Sequence, residues 1–191
     1  MNDSAGMGTD ASSRPPAEKL TVLVDTETLH RRVAELAAVL NRHYAGQNPV
    51  LVGLLKGSFV FLADLVRGLS IEHEIDFMCI AGYGNMTEHS GAVRLLKDLN
   101  VNISGRSVVI VEDIVDSGLT IDYIRRILLA RQPADLVIMT LLNKKTRREV
   151  DVPIEYVGFD IDDVFVVGYG LDLAERYRGL DYLATVDFSQ G

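Results

Sequence analysis

Two adjacent carboxylates follow a short apolar segment of the chain. Glu112 and Asp113 come directly after the apolar residues 108–111. The next positions add a third carboxylate, two hydroxyls and a glycine, at Asp116, Ser117, Thr120 and Gly118. Hydroxyls, a glycine and free backbone amides at a helix N-terminus form a cradle for a phosphate group. The adjacent carboxylates suit a ribose diol or a hydrated divalent cation, because neither of these ligands repels them.

One ligand carries all the groups that these residues can bind. The loop contains no lysine, unlike the loop that binds nucleoside triphosphates, so a terminal monophosphate is the better guest. Phosphoribosyl pyrophosphate has a 5′-phosphate, a 2′,3′-diol and a pyrophosphate that binds magnesium. The residues therefore favour a site for this activated sugar. The alternative is a strand that ends in acids which cap the following helix.

The elements that must position these residues are short apolar strands alternating with helices. Helices are predicted over residues 25–44, from Ser58 to about Gly68, and around residues 124–130. Segments typical of buried strands span residues 50–55, 75–80, 108–111, 136–142, 154–159 and 165–169. This alternation predicts an α/β fold with a mostly parallel central sheet flanked by helices. Ligands bind beyond the carboxyl ends of such strands, so chemistry is expected directly after each one.

Length and charge narrow the class of protein. The 191 residues suit a single domain over residues 19–191, preceded by a disordered tail at residues 1–18. The net charge of −8 argues against nucleic acid or an anionic membrane as partner. No apolar run approaches the roughly 18 residues of a membrane span. The one cysteine, Cys79, excludes an intrachain disulfide and favours a reducing, cytoplasmic location.

Residues 108–120, Val-Val-Ile-Val-Glu-Asp-Ile-Val-Asp-Ser-Gly-Leu-Thr, resemble a known signature. It is the phosphoribosyl pyrophosphate signature of type I phosphoribosyltransferases, and more narrowly of their hypoxanthine-guanine branch. The resemblance extends in separate segments from about residue 50 to residue 187. It implies the type I fold with a small hood from the terminal segments. It also implies a magnesium-dependent transferase of purine salvage that acts on small molecules and assembles as a homodimer or homotetramer.

The same resemblance assigns roles within the signature. Ser117, Gly118, Leu119 and Thr120 would bind the 5′-phosphate. Glu112 and Asp113 would hold the ribose hydroxyls and metal-bound water. Asp116 would be the catalytic base near purine N7. The alternative for Asp116 is an ordinary turn aspartate.

Other strand ends resemble further parts of the family site. Lys56 and Gly57 match its pyrophosphate loop, in which a cis peptide often precedes the lysine. Lys144 matches the lysine that donates to the exocyclic oxygen of a 6-oxopurine, a bond that the 6-amino group of adenine cannot accept. Phe165 would stack on the base, and the Val166 backbone would read its edge. Lys145 and Arg147 are interpreted as solvated surface charges.

Asp172 would hold a second magnesium ion, and Arg178 would clamp the pyrophosphate, with Arg176 as the competing choice. Tyr83 matches a residue of the family's mobile lid. Gly82 stands where the family usually has serine, so only Tyr83 is assigned to the substrate site.

Three other hypotheses about the function stay open at this point. The most similar one is a phosphoribosyltransferase for xanthine, adenine or a pyrimidine. Within the oxopurines, the sequence does not decide among hypoxanthine, guanine and xanthine. A non-catalytic regulator that binds nucleic acid with this fold is opposed by the acidic net charge. A nucleotide-binding dehydrogenase lacks the glycine-rich turn after its first strand.

Overall fold

A six-stranded sheet forms the centre of the protein. A computed structural model of the chain describes residues 19–81 and 94–187. In chain order its elements are β1 (Lys19–Val24), α1 (Thr26–His43), β2 (Val50–Leu55), α2 (Phe59–Arg67), β3 (Glu74–Ala81), β4 (Arg94–Lys97), β5 (Ser107–Val115), α3 (Leu119–Leu129), β6 (Asp135–Asn143), β7 (Tyr156–Asp160), β8 (Val166–Val167) and β9 (Leu183–Asp187). A 3-10 helix, Lys145–Arg147, follows β6.

The central sheet has the strand order β4-β3-β2-β5-β6-β7. Strands β3, β2, β5, β6 and β7 are parallel neighbours, and β4 pairs antiparallel with β3. The predicted α/β fold with a mostly parallel, helix-flanked sheet is therefore confirmed. Because β2, β5 and β6 are adjacent and parallel, the residues that follow them emerge at one edge of the sheet.

Apolar side chains are buried on both faces of the sheet. Alternate residues of a strand point to opposite faces. Val50 of β2 and Val108 of β5 pack in the core that includes Ile124 of α3. Leu51 and Val109, one position further along, pack in the core under α1 and α2. Burial on both sides explains why these strands are continuous apolar runs.

A second, three-stranded sheet joins the two ends of the described chain. Its strand order is β1-β9-β8, with antiparallel pairing throughout. The hood predicted from the terminal segments is this sheet. The predicted strand at residues 165–169 shortens to β8 and lies here, outside the central sheet. Neither β1 nor β9 was predicted as a strand from the sequence: β1 is mostly exposed, and β9 is a short segment of five residues.

The length of β5 and the cap of α2 differ from the predictions made from the sequence. Strand β5 continues to Val115, so Glu112 and Asp113 lie inside it, because β6 supplies a pairing partner as far as Asn143. Ser58 does stand at the N-terminus of α2, but its hydroxyl makes no cap and donates instead to the Leu54 carbonyl at 2.7 Å.

Helix α1 begins as predicted at Asp25. The Asp25 carboxylate accepts from the Thr28 amide and from the Thr28 hydroxyl, both at 2.9 Å. The bond from the Thr28 backbone contributes most to lowering the Asp25 pKa.

Across both described ranges, no helix combines the length and the apolar character needed to cross a membrane. The predicted tail at residues 1–18 and the lid loop at residues 82–93 lie outside the described residues.

Asp76 ties β3 to the chain that follows β4. Its buried carboxylate accepts from Lys97 Nζ at 2.9 Å and from the amides of Phe77, Asn100 and Val101 at 2.7, 2.6 and 3.1 Å. Burial raises the Asp76 pKa, but these hydrogen bonds outweigh burial and the net pKa lies below its ordinary value. A lowered pKa in the folded state stabilises the fold above the unfolded pKa of about 3.9, and this stabilisation is lost as pH falls through the folded value.

We predict that Asp76→Asn lowers the free energy of unfolding by about 1–3 kcal/mol at pH 7, because buried donors lose a charged acceptor. Denaturant unfolding at pH 7 and near pH 3 measures the effect, and the gap to the unsubstituted protein should narrow at the lower pH. Glu27→Gln is the control, since Glu27 is 91% exposed and its pair with Arg31 is long, at 3.9 Å. A gap that is unchanged between the two pH values would contradict the assigned charge interaction.

Candidate active site

The loop between β5 and α3 surrounds a small polar cavity. The cavity measures about 100 Å³ and is lined by Glu112, Ile114, Val115, Asp116, Ser117, Gly118, Thr120 and Ile121. Gly118 precedes α3 with a positive φ of 87°, and a side chain there would come within 2.6 Å of the Val150 carbonyl. Both the backbone conformation and the lack of space therefore require glycine. The cavity opens at the N-terminus of α3, where backbone amides favour an anion.

Glu112 and Asp113 lie deep at the end of β5. Glu112 is 8% exposed, and its Oε2 atom is buried without a hydrogen-bond partner. Burial, followed by repulsion from Asp113, raises the Glu112 pKa well above its ordinary value. Burial also raises the pKa of Asp113 to about 6. Buried carboxylates without partners are unfavourable, so this end of β5 is suited to receive hydroxyl groups or a cation.

Gly57 is packed between Asp113 and the hood. A side chain on Gly57 would approach the Asp113 carboxylate to 1.7 Å. Gly170, with a φ of 104°, lies against the Gly57 carbonyl, and a side chain there would come within 2.0 Å of it. The peptide between Leu55 and Lys56 is cis, as the sequence reading anticipated for a pyrophosphate loop. The loop after β2 therefore lies directly beside the acids of β5.

Acidic and basic side chains form a cluster close to Gly170. Arg178 donates to the Gly170 carbonyl at 2.7 Å and pairs with Asp172 at 2.7 Å. Its Nε atom is buried and has no hydrogen-bond partner. Glu175 pairs with Arg178 at 3.4 Å and with Lys56 at 3.0 Å. These contacts bring Lys56, Asp172 and Arg178 into one cluster.

The cluster borders the acids of β5. The charge of Arg178 lowers the Asp113 pKa and that of Asp172 raises it, although burial has the larger effect. Arg176, the competing choice for a pyrophosphate clamp, instead lies over the Tyr177 ring, 5.4 Å from its centroid. The Arg178 guanidinium contacts a candidate metal ligand, Asp172, at 2.7 Å.

The acids fit magnesium better than a metal that needs a complete protein cage. Within residues 19–81 and 94–187, no three His, Cys, Asp or Glu side chains are grouped so as to hold a metal by themselves. Magnesium commonly keeps several waters and binds one or two carboxylates together with substrate phosphates. The unpartnered Glu112 oxygen and the neighbouring Asp113 match that requirement, and Asp172 offers a third carboxylate nearby.

Lys144 forms the other end of the site. The residue is 6% exposed, and its amide donates to the Val115 carbonyl at 3.0 Å, which fixes it beside the end of β5. Its Nζ atom lies 3.7 Å from Asp116 and 3.6 Å from Asp163. Arg147 approaches the same two carboxylates, at 3.8 Å from Asp116 and 3.6 Å from Asp163.

The remaining predicted base-binding residues lie in the hood. Phe165 is 45% exposed, and Val166 is buried in β8, paired with Thr185 of β9. Two residues predicted to bind the 5′-phosphate, Leu119 and Thr120, form the first turn of α3. Tyr83 lies outside the described residues.

Two charged residues of this region were not identified from the sequence. Lys145 is a surface charge as predicted, paired with Asp160 at 2.7 Å. Arg147 is also an exposed charge as predicted, and it approaches the two carboxylates that face Lys144. Asp163 and Glu175 were not singled out, because acids in polar loops carry no distinctive pattern. Their position after strands β7 and β8 was the one available signal.

Comparisons with known proteins identify the family. Residues 21–174 match the phosphoribosyl transferase domain. The chain is 50% identical over 167 residues to the hypoxanthine phosphoribosyltransferase of Salmonella typhimurium, covering 86% of this chain and 94% of that protein. It is 43% identical over 165 residues to the hypoxanthine-guanine phosphoribosyltransferase of Bacillus subtilis, covering 86% and 92%.

A solved structure agrees with both sequence matches. The crystal structure of a hypoxanthine-guanine phosphoribosyltransferase from Bacillus anthracis superimposes with a TM-score of 0.83 at 44% identity, covering 89% of this chain and 99% of that one. Identity at this level over nearly the whole of each relative extends well beyond the signature at residues 108–120. The chain therefore belongs to the phosphoribosyltransferase family, within its hypoxanthine and hypoxanthine-guanine branch.

Proposed function

We propose that this chain is a purine salvage enzyme that transfers the phosphoribosyl group of phosphoribosyl pyrophosphate to hypoxanthine, and also to guanine. The products are IMP or GMP and pyrophosphate, and the reaction requires Mg²⁺. One observation carries the proposal. The polar cavity of β5–α3, the unpartnered Glu112 Oε2 atom of β5 and the buried ammonium of Lys144 lie at one edge of the sheet.

The sugar end of the substrate fits the loop after β5. The amides and hydroxyls of Ser117, Gly118, Leu119 and Thr120 bind the 5′-phosphate, since the α3 N-terminus favours an anion. Glu112 and Asp113 accept hydrogen bonds from the ribose hydroxyls or from metal-bound water. Either partner would relieve the burial of Glu112 Oε2, which the protein leaves without a hydrogen bond.

The pyrophosphate fits the cluster of Lys56, Gly57 and Arg178. Arg178 offers a planar fork with a buried, unused Nε donor. Glu112, Asp113 and Asp172 are the residues that would hold Mg²⁺, whose chemistry is to neutralise the leaving group. Tyr83 would belong to the loop that keeps water from the activated sugar.

At the base end, Phe165 stacks on the purine, the Val166 backbone reads its edge and Lys144 donates to O6. The purine N9 forms a bond to C1′ of the sugar as the bond from C1′ to pyrophosphate breaks, and that electron pair leaves with the pyrophosphate. The proton on N7 passes to the carboxylate of Asp116, which acts as general base.

Assembly and location complete the proposal. We propose a homodimer or homotetramer in the cytoplasm, without a nucleic acid or membrane partner. Val22, Phe59 and Leu96 are exposed apolar side chains that suit contact between subunits.

The first prediction concerns the substrate panel. The protein is incubated with phosphoribosyl pyrophosphate, Mg²⁺ and one base at a time: hypoxanthine, guanine, xanthine or adenine. It should release pyrophosphate with hypoxanthine and with guanine. Adenine should be inactive, because its 6-amino group cannot accept a hydrogen bond from Lys144. Product identification by mass spectrometry is the measurement. A chelator should stop turnover, and added Mg²⁺ should restore it. Absence of nucleotide with every base would leave the non-catalytic regulator standing.

The second prediction concerns the base. Asp116→Asn should lower kcat by about 10²- to 10⁴-fold, because the amide cannot take the proton, with little change in KM for either substrate. Steady-state kinetics provide the measurement. Asp151→Asn is the control, since Asp151 is an exposed acid outside the cavity of β5–α3. An Asp116→Asn variant with unchanged kcat would remove Asp116 from this role.

The third prediction concerns the selection of oxopurines. Lys144→Ala should raise KM for hypoxanthine by roughly 10- to 100-fold, the value of a lost charge-assisted hydrogen bond of about 1.5–3 kcal/mol. Lys145→Ala is a matched control, because Lys145 is adjacent and exposed. If Lys144→Ala kept the preference for 6-oxopurines, the discrimination would have to come from another residue.

A further inference from the structure

Lys144 needs counter-charges because its ammonium is almost completely buried. An unpaired buried ammonium is strongly unfavourable, so its location depends on nearby carboxylates. The two nearest are Asp116 at 3.7 Å and Asp163 at 3.6 Å. Both distances exceed a normal hydrogen bond, so these carboxylates balance the charge without engaging the N–H donors closely. The donors remain available for a ligand.

Asp116 balances the positive charge of Lys144 only while the Asp116 carboxylate is ionised. In the proposed reaction Asp116 receives the N7 proton of the purine, and its negative charge is lost at that moment. Lys144 and Arg147 both face Asp116 and Asp163, so two cations are balanced by two carboxylates before the proton transfer. After it, Asp163 is the carboxylate of this group that still carries charge.

We propose that Asp163 is a positioning residue that holds Lys144 in place for the 6-oxo group of the purine, before and after proton transfer to Asp116. The inference rests on the proposed function and adds a specificity-determining residue to the same site. Arg147 also approaches Asp163, at 3.6 Å. Asp163 also lies two residues before Phe165, so one segment of the hood supplies both the counter-charge and the ring proposed to stack on the base.

Loss of this carboxylate should affect the base and not the sugar. In Asp163→Asn, Lys144 keeps Asp116 as its near carboxylate and is drawn toward it, away from O6. KM for hypoxanthine should rise roughly 5- to 20-fold, while KM for phosphoribosyl pyrophosphate stays within about 2-fold. Asp163→Glu retains the charge and should recover part of the loss. Asp162→Asn, an exposed acid one residue earlier, makes the same change in net charge and should match the unsubstituted enzyme.

A double-mutant cycle separates positioning from a general structural role. In a Lys144→Met background, Asp163→Asn should change KM for hypoxanthine by less than about 2-fold, because the residue that Asp163 positions is gone. The same cycle measured by calorimetry of IMP binding covers the case in which Lys144→Met is too slow to assay. Thermal unfolding of all variants verifies that they are folded.

The outcomes are distinguishable. Equal effects of Asp163→Asn in both backgrounds, or an unchanged KM for hypoxanthine in an active enzyme, would overturn the positioning role and leave the proposed function intact. An unsubstituted enzyme that converts no base would overturn the proposed function and this inference with it.

Discussion

Burial of two carboxylates at the end of β5 is the feature around which the rest of the site is arranged. Burial is the main cause that raises the pKa of Asp113 to about 6, and burial together with repulsion from Asp113 raises the pKa of Glu112 well above its ordinary value. The chain tolerates this because β5 stays paired with β6 as far as Val115, which holds the acids inside the sheet edge. A ligand with hydroxyl groups or a metal ion then supplies the partners that the protein withholds.

The neighbouring charges follow from that constraint. Arg178 lowers the Asp113 pKa from across the site and is itself held by Asp172 and the Gly170 carbonyl. Lys56 meets Glu175 on the outer side of the same cluster. Positive groups are thus placed near the acids without neutralising them. This arrangement suits a substrate that brings both a polyanion and its cation.

The sequence predicted what short-range patterns encode. The continuous apolar runs identified β2, β3, β5 and β6, and their parallel order placed residues 56–57, 112–120 and 144 at one edge of the sheet. The residues of the phosphate loop were found because hydroxyls, glycine and acids are concentrated there. The grouping of Asp163 and Arg147 with Lys144 was not recognised, because it depends on distances between separate loops. Strands β1 and β9 escaped notice for a similar reason, since their pairing joins positions more than 150 residues apart.

The contact between Gly57 and Gly170 has a mechanical consequence. Gly57 belongs to the loop of the central sheet, and Gly170 to the hood that carries β8, and neither position has space for even a methyl group. The loop after β2 and the segment after β8 are therefore in direct backbone contact, with no side chain between them. Because neither glycine leaves room for adjustment, this contact would keep the proposed base-binding segment and the proposed pyrophosphate loop in a common alignment.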